Sequence, residues 1–155
     1  MADFALGKRI FRGLGEVYLS MQTLTAAAGP DQGRLTSQLL LRSRHDGGLT
    51  VLQLAGELDI YTVVRFSRGL HRAVHRSDRV VIDLTEVTFV DSAGVRGLTS
   101  AANRFAQQAV RLGLVCPAGP TLQALRACHL LTAFCIGQTV EDTYVAMEAW
   151  DQPVR

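Results

Sequence analysis

Long apolar runs are missing from this chain. No stretch of about 18 apolar residues occurs, so no segment is expected to span a membrane. Lys8, Arg9 and Arg12 are followed by no continuous apolar stretch or small-residue cleavage site, so a secretory signal is not expected either. Cysteine is scarce: Cys116, Cys128 and Cys135 make an odd set with no Cys-x-x-Cys pair, all within apolar segments. That pattern predicts buried thiols in a reducing cytoplasm rather than a disulfide framework. Cys128 and His129 are neighbours with no second ligand pair at suitable spacing, so neither a zinc site nor any other cofactor is expected. An excess of one charge is lacking too. The net charge of +2 is too small to argue for direct nucleic-acid binding.

What is present suits one globular unit. The 155 residues fit a single domain, and 48% hydrophobic with 19% charged residues is ordinary for one. Residues 1–37 have weak periodicity and end in the breaker-rich Ala28-Gly29-Pro30-Asp31-Gln32-Gly33. They are expected to form a mobile extension with one short helix around Val17–Leu24. Residues 38–149 carry strong patterning and are expected to form the domain, with 150–155 as a tail; nothing in the sequence fixes whether Trp150 packs.

Gln38–Arg44 and Thr50–Ala55 have strand character, and His45-Asp46-Gly47-Gly48 between them supplies the positive-φ residues of a tight hairpin. Val63, Phe66, Leu70 and Val74 recur at three and four residues, which predicts a helix over 62–75 that Asp59 or Thr62 can cap. Arg79–Leu84 is a buried-strand run expected to end near Leu84. A helix over Ser92–Gln107 follows, with Val95, Leu98, Ala102 and Phe105 inward. Strand Val110–Cys116, helix Thr121–Cys128, strand Ala133–Ile136 and helix Thr139–Ala149 complete the chain. The expected fold is therefore α/β, with an antiparallel hairpin joined to parallel strands by helical crossovers in one mixed sheet.

The segment Asp83-Leu84-Thr85-Glu86-Val87-Thr88-Phe89-Val90-Asp91-Ser92-Ala93-Gly94 is the most informative. Asp91 or Ser92 is placed to cap the following helix, and Gly94 in its first turn permits close approach of a neighbouring backbone. Local chemistry alone supports nothing beyond an N-cap. Yet Gly56-Glu57-Leu58-Asp59 with Thr62, and then Phe89-Val90-Asp91-Ser92-Ala93-Gly94-Val95, together resemble the two signature segments of the bacterial anti-sigma factor antagonists, the STAS domains. The resemblance covers roughly residues 38–149.

That resemblance implies a STAS-like fold and a cytoplasmic, non-enzymatic binding protein that regulates sigma-factor-dependent transcription. Its partner would be an anti-sigma factor that is also a serine kinase, bound in the unphosphorylated state and released once Ser92 is phosphorylated. A phosphatase would restore binding. The implied contact residues are Asp59, Thr62, Asp91, Ser92, Ala93 and Gly94. Two departures stand out. Ala93 replaces the second hydroxyl that many members carry, and His129-Leu130-Leu131 stands where Gly-Leu is common; His tolerates a left-handed cap better than most residues.

Other patterns admit two readings. Arg65, Arg68, Arg72 and Arg76 make a basic stripe, either a docking face for an acidic partner or nucleic acid, or a solvated helix face. His71 and His75 are four apart but lack a third ligand. A serine hydrolase would need Gly-x-Ser-x-Gly, whereas Val90 stands two before Ser92, and no acid lies between Ser92 and His129. Asp91 as a receiver-type phospho-acceptor would need a downstream lysine, and the only lysine is Lys8. A STAS module that senses a nucleotide or lipid within another signalling assembly would share the fold.

Overall fold

The computed structural model describes residues 38–74 and 77–150. The segment 1–37, with its expected helix at 17–24, lies outside the described residues, as do His75, Arg76 and residues 151–155 of the expected tail. The chain runs β1 (Leu39–Asp46), β2 (Leu49–Leu58), α1 (Val63–Val74), β3 (Arg79–Val90), α2 (Ser92–Gln107), β4 (Arg111–Val115), α3 (Pro120–Ala127), β5 (Cys135–Gly137) and α4 (Val140–Ala149). The five strands form one sheet in chain order, with β1 antiparallel to β2 and every later pair parallel. This is the mixed α/β architecture that the alternation of patterns predicts.

The hairpin closes on Gly47 and Gly48, whose φ values of +50° and +87° only glycine adopts without strain. Asp46 consequently pairs with Leu49, and the register runs unbroken to Leu39 opposite Gly56. That register puts Leu39, Leu52, Leu54, Val80, Ile82, Leu112 and Leu114 on one face, where Phe66 and Leu70 of α1, Leu98 and Phe105 of α2 and Leu125 of α3 cover them. Burying each such side chain fully stabilises the fold by roughly 1.5–3 kcal/mol.

The opposite face is covered by α4 alone among the described helices. Val140 and Met147 pack there with Leu49, Val51, Val81 and Val115. Two arginines at the strand starts hold this helix: Arg111 Nη1 donates to the Met147 carbonyl at 3.1 Å, and Arg79 Nη1 donates to the Tyr144 hydroxyl at 3.1 Å. The Arg79 guanidinium also lies 5.5 Å from the Tyr144 ring centre. Burial and a hydrogen bond with Glu148 push the Tyr144 hydroxyl above its ordinary pKa.

The structure corrects the expected end of β3. The strand continues past Leu84 to Val90, pairing Leu58 with Val90 after register shifts between Gln53 and Ala55 and between Gly56 and Glu57. Such shifts let a strand absorb extra residues without leaving the sheet. At the first shift the buried Asp83 is satisfied by its own strand, its Oδ1 accepting from the Thr85 N–H at 2.9 Å and from the Thr85 hydroxyl at 2.6 Å. β5 is shorter and later than expected, because Leu130–Thr132 form a 3₁₀ turn and Phe134 buries its ring before Cys135 joins the sheet. Cys128 corrects the expectation of three buried thiols: it is exposed at the C-cap of α3, whereas Cys116 is buried and Cys135 half-buried. His129 takes the left-handed conformation, φ 56°, as its tolerance of such caps predicts.

Candidate functional site

The extended β3 delivers Asp91 to the end of β2. Its N–H donates to the Leu58 carbonyl at 3.2 Å, and the next residue starts α2. Asp91 has extended backbone (φ −95°, ψ −177°), and its Oδ1 accepts from the Gly94 N–H at 2.8 Å, so Asp91 is the N-cap. Its second oxygen, Oδ2, accepts from the Ile60 N–H at 3.2 Å. One carboxylate thus ties the first turn of α2 to the segment leading into α1. Gly94 is buried against the Leu58 carbonyl with no room for a β-carbon, which is the close approach expected of it.

Asp59 and Thr62 build the neighbouring corner. Asp59 Oδ1 accepts from the Tyr61 N–H at 2.9 Å and the Thr62 N–H at 3.0 Å. The Thr62 hydroxyl accepts from the Asp59 N–H at 2.9 Å and donates to the Glu57 carbonyl at 2.7 Å. Both side chains are buried, at 6% and 5% exposure, so their polar atoms serve the fold of this corner. The structure therefore gathers all six expected residues at one pole but sorts them: Ser92 is exposed and Asp91 half-buried, while Asp59, Thr62, Ala93 and Gly94 lie beneath the surface.

Large apolar side chains are exposed on the segments that build this corner, Ile60 being tied to Asp91 through its N–H. Ile60, Tyr61 and Val64 are 60%, 77% and 56% exposed, and Phe89, just before the cap, is 51% exposed. Sequence reasoning missed these four. The available signal was position: Ile60 and Tyr61 fall between Asp59 and the helix, and Val64 is one place off the Phe66–Leu70 stripe. Arg65, Arg68 and Arg72 stand exposed on α1, and Arg68 and Arg72 line, with Arg104 of α2, a groove of about 450 Å³ walled by Val63 and Val64. Arg76 and His75 lie outside the described residues.

Ser92 has no catalytic company from His129. α2 starts where the parallel strands end, whereas α3 runs back from that end on the same face of the sheet, carrying His129 toward the strand starts. Among the described residues no group of three or more His, Cys, Asp or Glu comes together as a metal-binding cluster, and no helix is long and apolar enough to cross a membrane.

Residues 41–143 match the STAS domain family. Among curated proteins none matches the sequence. An anti-sigma factor antagonist from Mycobacterium paratuberculosis superposes with a TM-score of 0.66 at 21% identity, covering 72% of this chain and 95% of that one. The Bacillus cell fate determinant SpoIIAA in its phosphorylated form gives 0.54 at 18% identity, covering 68% and 97%. The murine Solute Carrier 26 family member A9 anion transporter gives 0.57 at 14% identity, covering 66% of this chain and 18% of that longer one. At such identities the likeness is one of fold.

Proposed function

The chain belongs to the STAS domain family, and on that footing we propose that it is an anti-sigma factor antagonist switched by phosphorylation of Ser92. The observation that carries this reading is the exposed hydroxyl of Ser92 at the first residue of α2, on a turn fixed by the Asp91 cap. The unphosphorylated protein binds an anti-sigma factor with serine-kinase activity in the bacterial cytoplasm, and so frees a sigma factor. Phosphorylation ends the contact and a phosphatase restores it. The protein itself is not an enzyme; ATP belongs to its partner.

The physics favours a change of affinity over a change of fold. A phosphoserine adds about −1.5 to −2 charges and three strong acceptors. At the α2 N-terminus the helix dipole favours an anion by roughly 0.3–1 kcal/mol, while the Asp91 carboxylate opposes it and solvent screens both. In a complex the same phosphate loses its water without replacement partners. At ~6 Å and an effective dielectric of ~20, each unit charge facing a partner carboxylate costs roughly 3 kcal/mol. A total of about 3–5 kcal/mol weakens binding by two to four orders of magnitude.

Within this reading Ser92 and Asp91 meet the partner directly. Asp59, Thr62, Ala93 and Gly94 shape that surface from beneath. Incubation with a kinase-type anti-sigma factor and ATP, followed by mass spectrometry, tests it: phosphate on Ser92 supports the switch, and its absence or its placement elsewhere overturns it. A second reading, a STAS module acting in another signalling assembly without a phospho-switch, draws on the likeness to the transporter. It predicts no phosphate on Ser92 in that assay.

A further inference from the structure

Charge is sorted between the two faces of the sheet. α1 and α2, on the face that buries Phe66 and Phe105, carry Arg65, Arg68, Arg72, Arg96 and Arg104 and not one Asp or Glu. α4, alone on the opposite face among the described helices, carries Glu141, Asp142 and Glu148 and no Lys or Arg. The net charge of +2 conceals this separation. Each side presents a field of one sign to whatever approaches it.

The basic side is hollow. Arg68 and Arg72 of α1 and Arg104 of α2 line the groove of about 450 Å³, and Val63 and the exposed Val64 give it an apolar wall. The acidic side holds the complement. Glu141, Asp142, Val145 and Glu148 are all exposed on α4, at spacings of one, three and three residues that place them on a single helix face. Val145 stands at the centre of that ridge. Glu148 already lies 3.9 Å from Arg79, which leaves Glu141 and Asp142 to supply the charge.

A helix ridge with an apolar side chain between acids fits a groove with an apolar wall between arginines. The two cannot meet within one molecule, because the sheet separates them. We propose that α4 of one copy seats in the α1–α2 groove of a second copy, so that the protein associates head to tail. The contact joins unlike surfaces. Every molecule that uses its ridge still offers its groove, so association runs on into longer species as concentration rises. One helix in one groove buries little area, which makes the contact weak and reversible. It involves neither Ser92 nor any other protein, and it stands or falls apart from the function proposed above.

Sedimentation velocity of the full chain at rising concentration and low salt tests this association. The expected result is a weight-average sedimentation coefficient that climbs with concentration and falls back as salt is added, since screening weakens the charge contacts. Arg68→Glu with Arg104→Glu should weaken association about 100-fold by setting like charges opposite one another. Glu141→Gln with Val145→Gln should weaken it about tenfold by removing one acid and the central apolar contact. Each variant keeps one surface intact, so an equimolar mixture of the two should form a 1:1 pair and nothing larger. A chain that stays monomeric at every concentration overturns the proposal, and so does association that neither variant weakens. With both variants shown to be folded by circular dichroism, a mixture that forms no pair overturns it as well. That result would mean a symmetric contact elsewhere on the surface.

Discussion

The backbone of Gly94 rests on the carbonyl oxygen of Leu58, closer than any side chain permits. The contact joins the first turn of α2 to the last residue of β2, and Asp91 bonds to the same carbonyl. Gly94→Ala gains about 1 kcal/mol of helix propensity. It also forces a methyl group into backbone that cannot yield, an overpacking cost of about 1–3 kcal/mol or more. The contact is with backbone, so the upper part of that range applies, and urea denaturation should show a net loss of about 2 kcal/mol in unfolding free energy.

Asp59 behaves as a structural residue in this geometry. Replacing it by Ala leaves the Tyr61 N–H without its side-chain acceptor and removes the carboxylate partner of the Thr62 N–H and hydroxyl, the Thr62 N–H keeping only the Asp59 carbonyl. The expected cost is about 1–3 kcal/mol, read as a lower thermal midpoint. Asp59→Asn, which retains an acceptor oxygen, should recover part of it.

Ser92 should show the reverse pattern. Ser92→Ala and Ser92→Asp both alter an exposed side chain, so each should leave unfolding free energy within about 0.5 kcal/mol of the parent. Binding to the cognate anti-sigma factor should separate them. One added charge near a partner carboxylate is worth roughly 3 kcal/mol, so Ser92→Asp should bind about 100-fold more weakly than Ser92→Ala in titration calorimetry. Equal affinities for the two would refute the electrostatic switch.

The cysteines should react in an order set by burial. Cys128 is exposed, whereas burial holds the Cys116 thiol above its ordinary pKa and away from solvent. The thiolate is the nucleophile. Iodoacetamide under native conditions should therefore modify Cys128 first, with Cys116 reacting only once the chain is unfolded; peptide mapping over time reads the order.

Much of this was legible from local pattern. The Gly47-Gly48 turn, the Phe66–Leu70 stripe and the span of α2 followed from positive-φ chemistry and helical period, because each depends on residues adjacent in the chain. β3 misled for the opposite reason. Thr85–Val90 is rich in β-branched residues, but Thr85, Glu86 and Thr88 are exposed and polar, so the continuous buried run of 80–84 breaks off there; the partner is β2, and the shifted pairing of Ala55 with Glu86 and Leu58 with Val90 carries the strand onward. The Asp91 cap was foreseeable as an alternative to Ser92, but its bond to Ile60 was not, since that bond spans the chain from residue 60 to residue 91.

The sequence by itself determined the kinds of element, their order and the single hydroxyl at the head of α2, since periodicity and turn chemistry act over a few residues. Tertiary structure alone decided which of the signature residues face solvent. Asp59 and Thr62 read in one dimension either as helix caps or, by resemblance, as partner contacts; in the fold both are buried at the end of β2, while Ile60, Tyr61 and Val64 are left exposed. Burial is a property of what lies opposite a residue, and that is set by strands and helices far away along the chain.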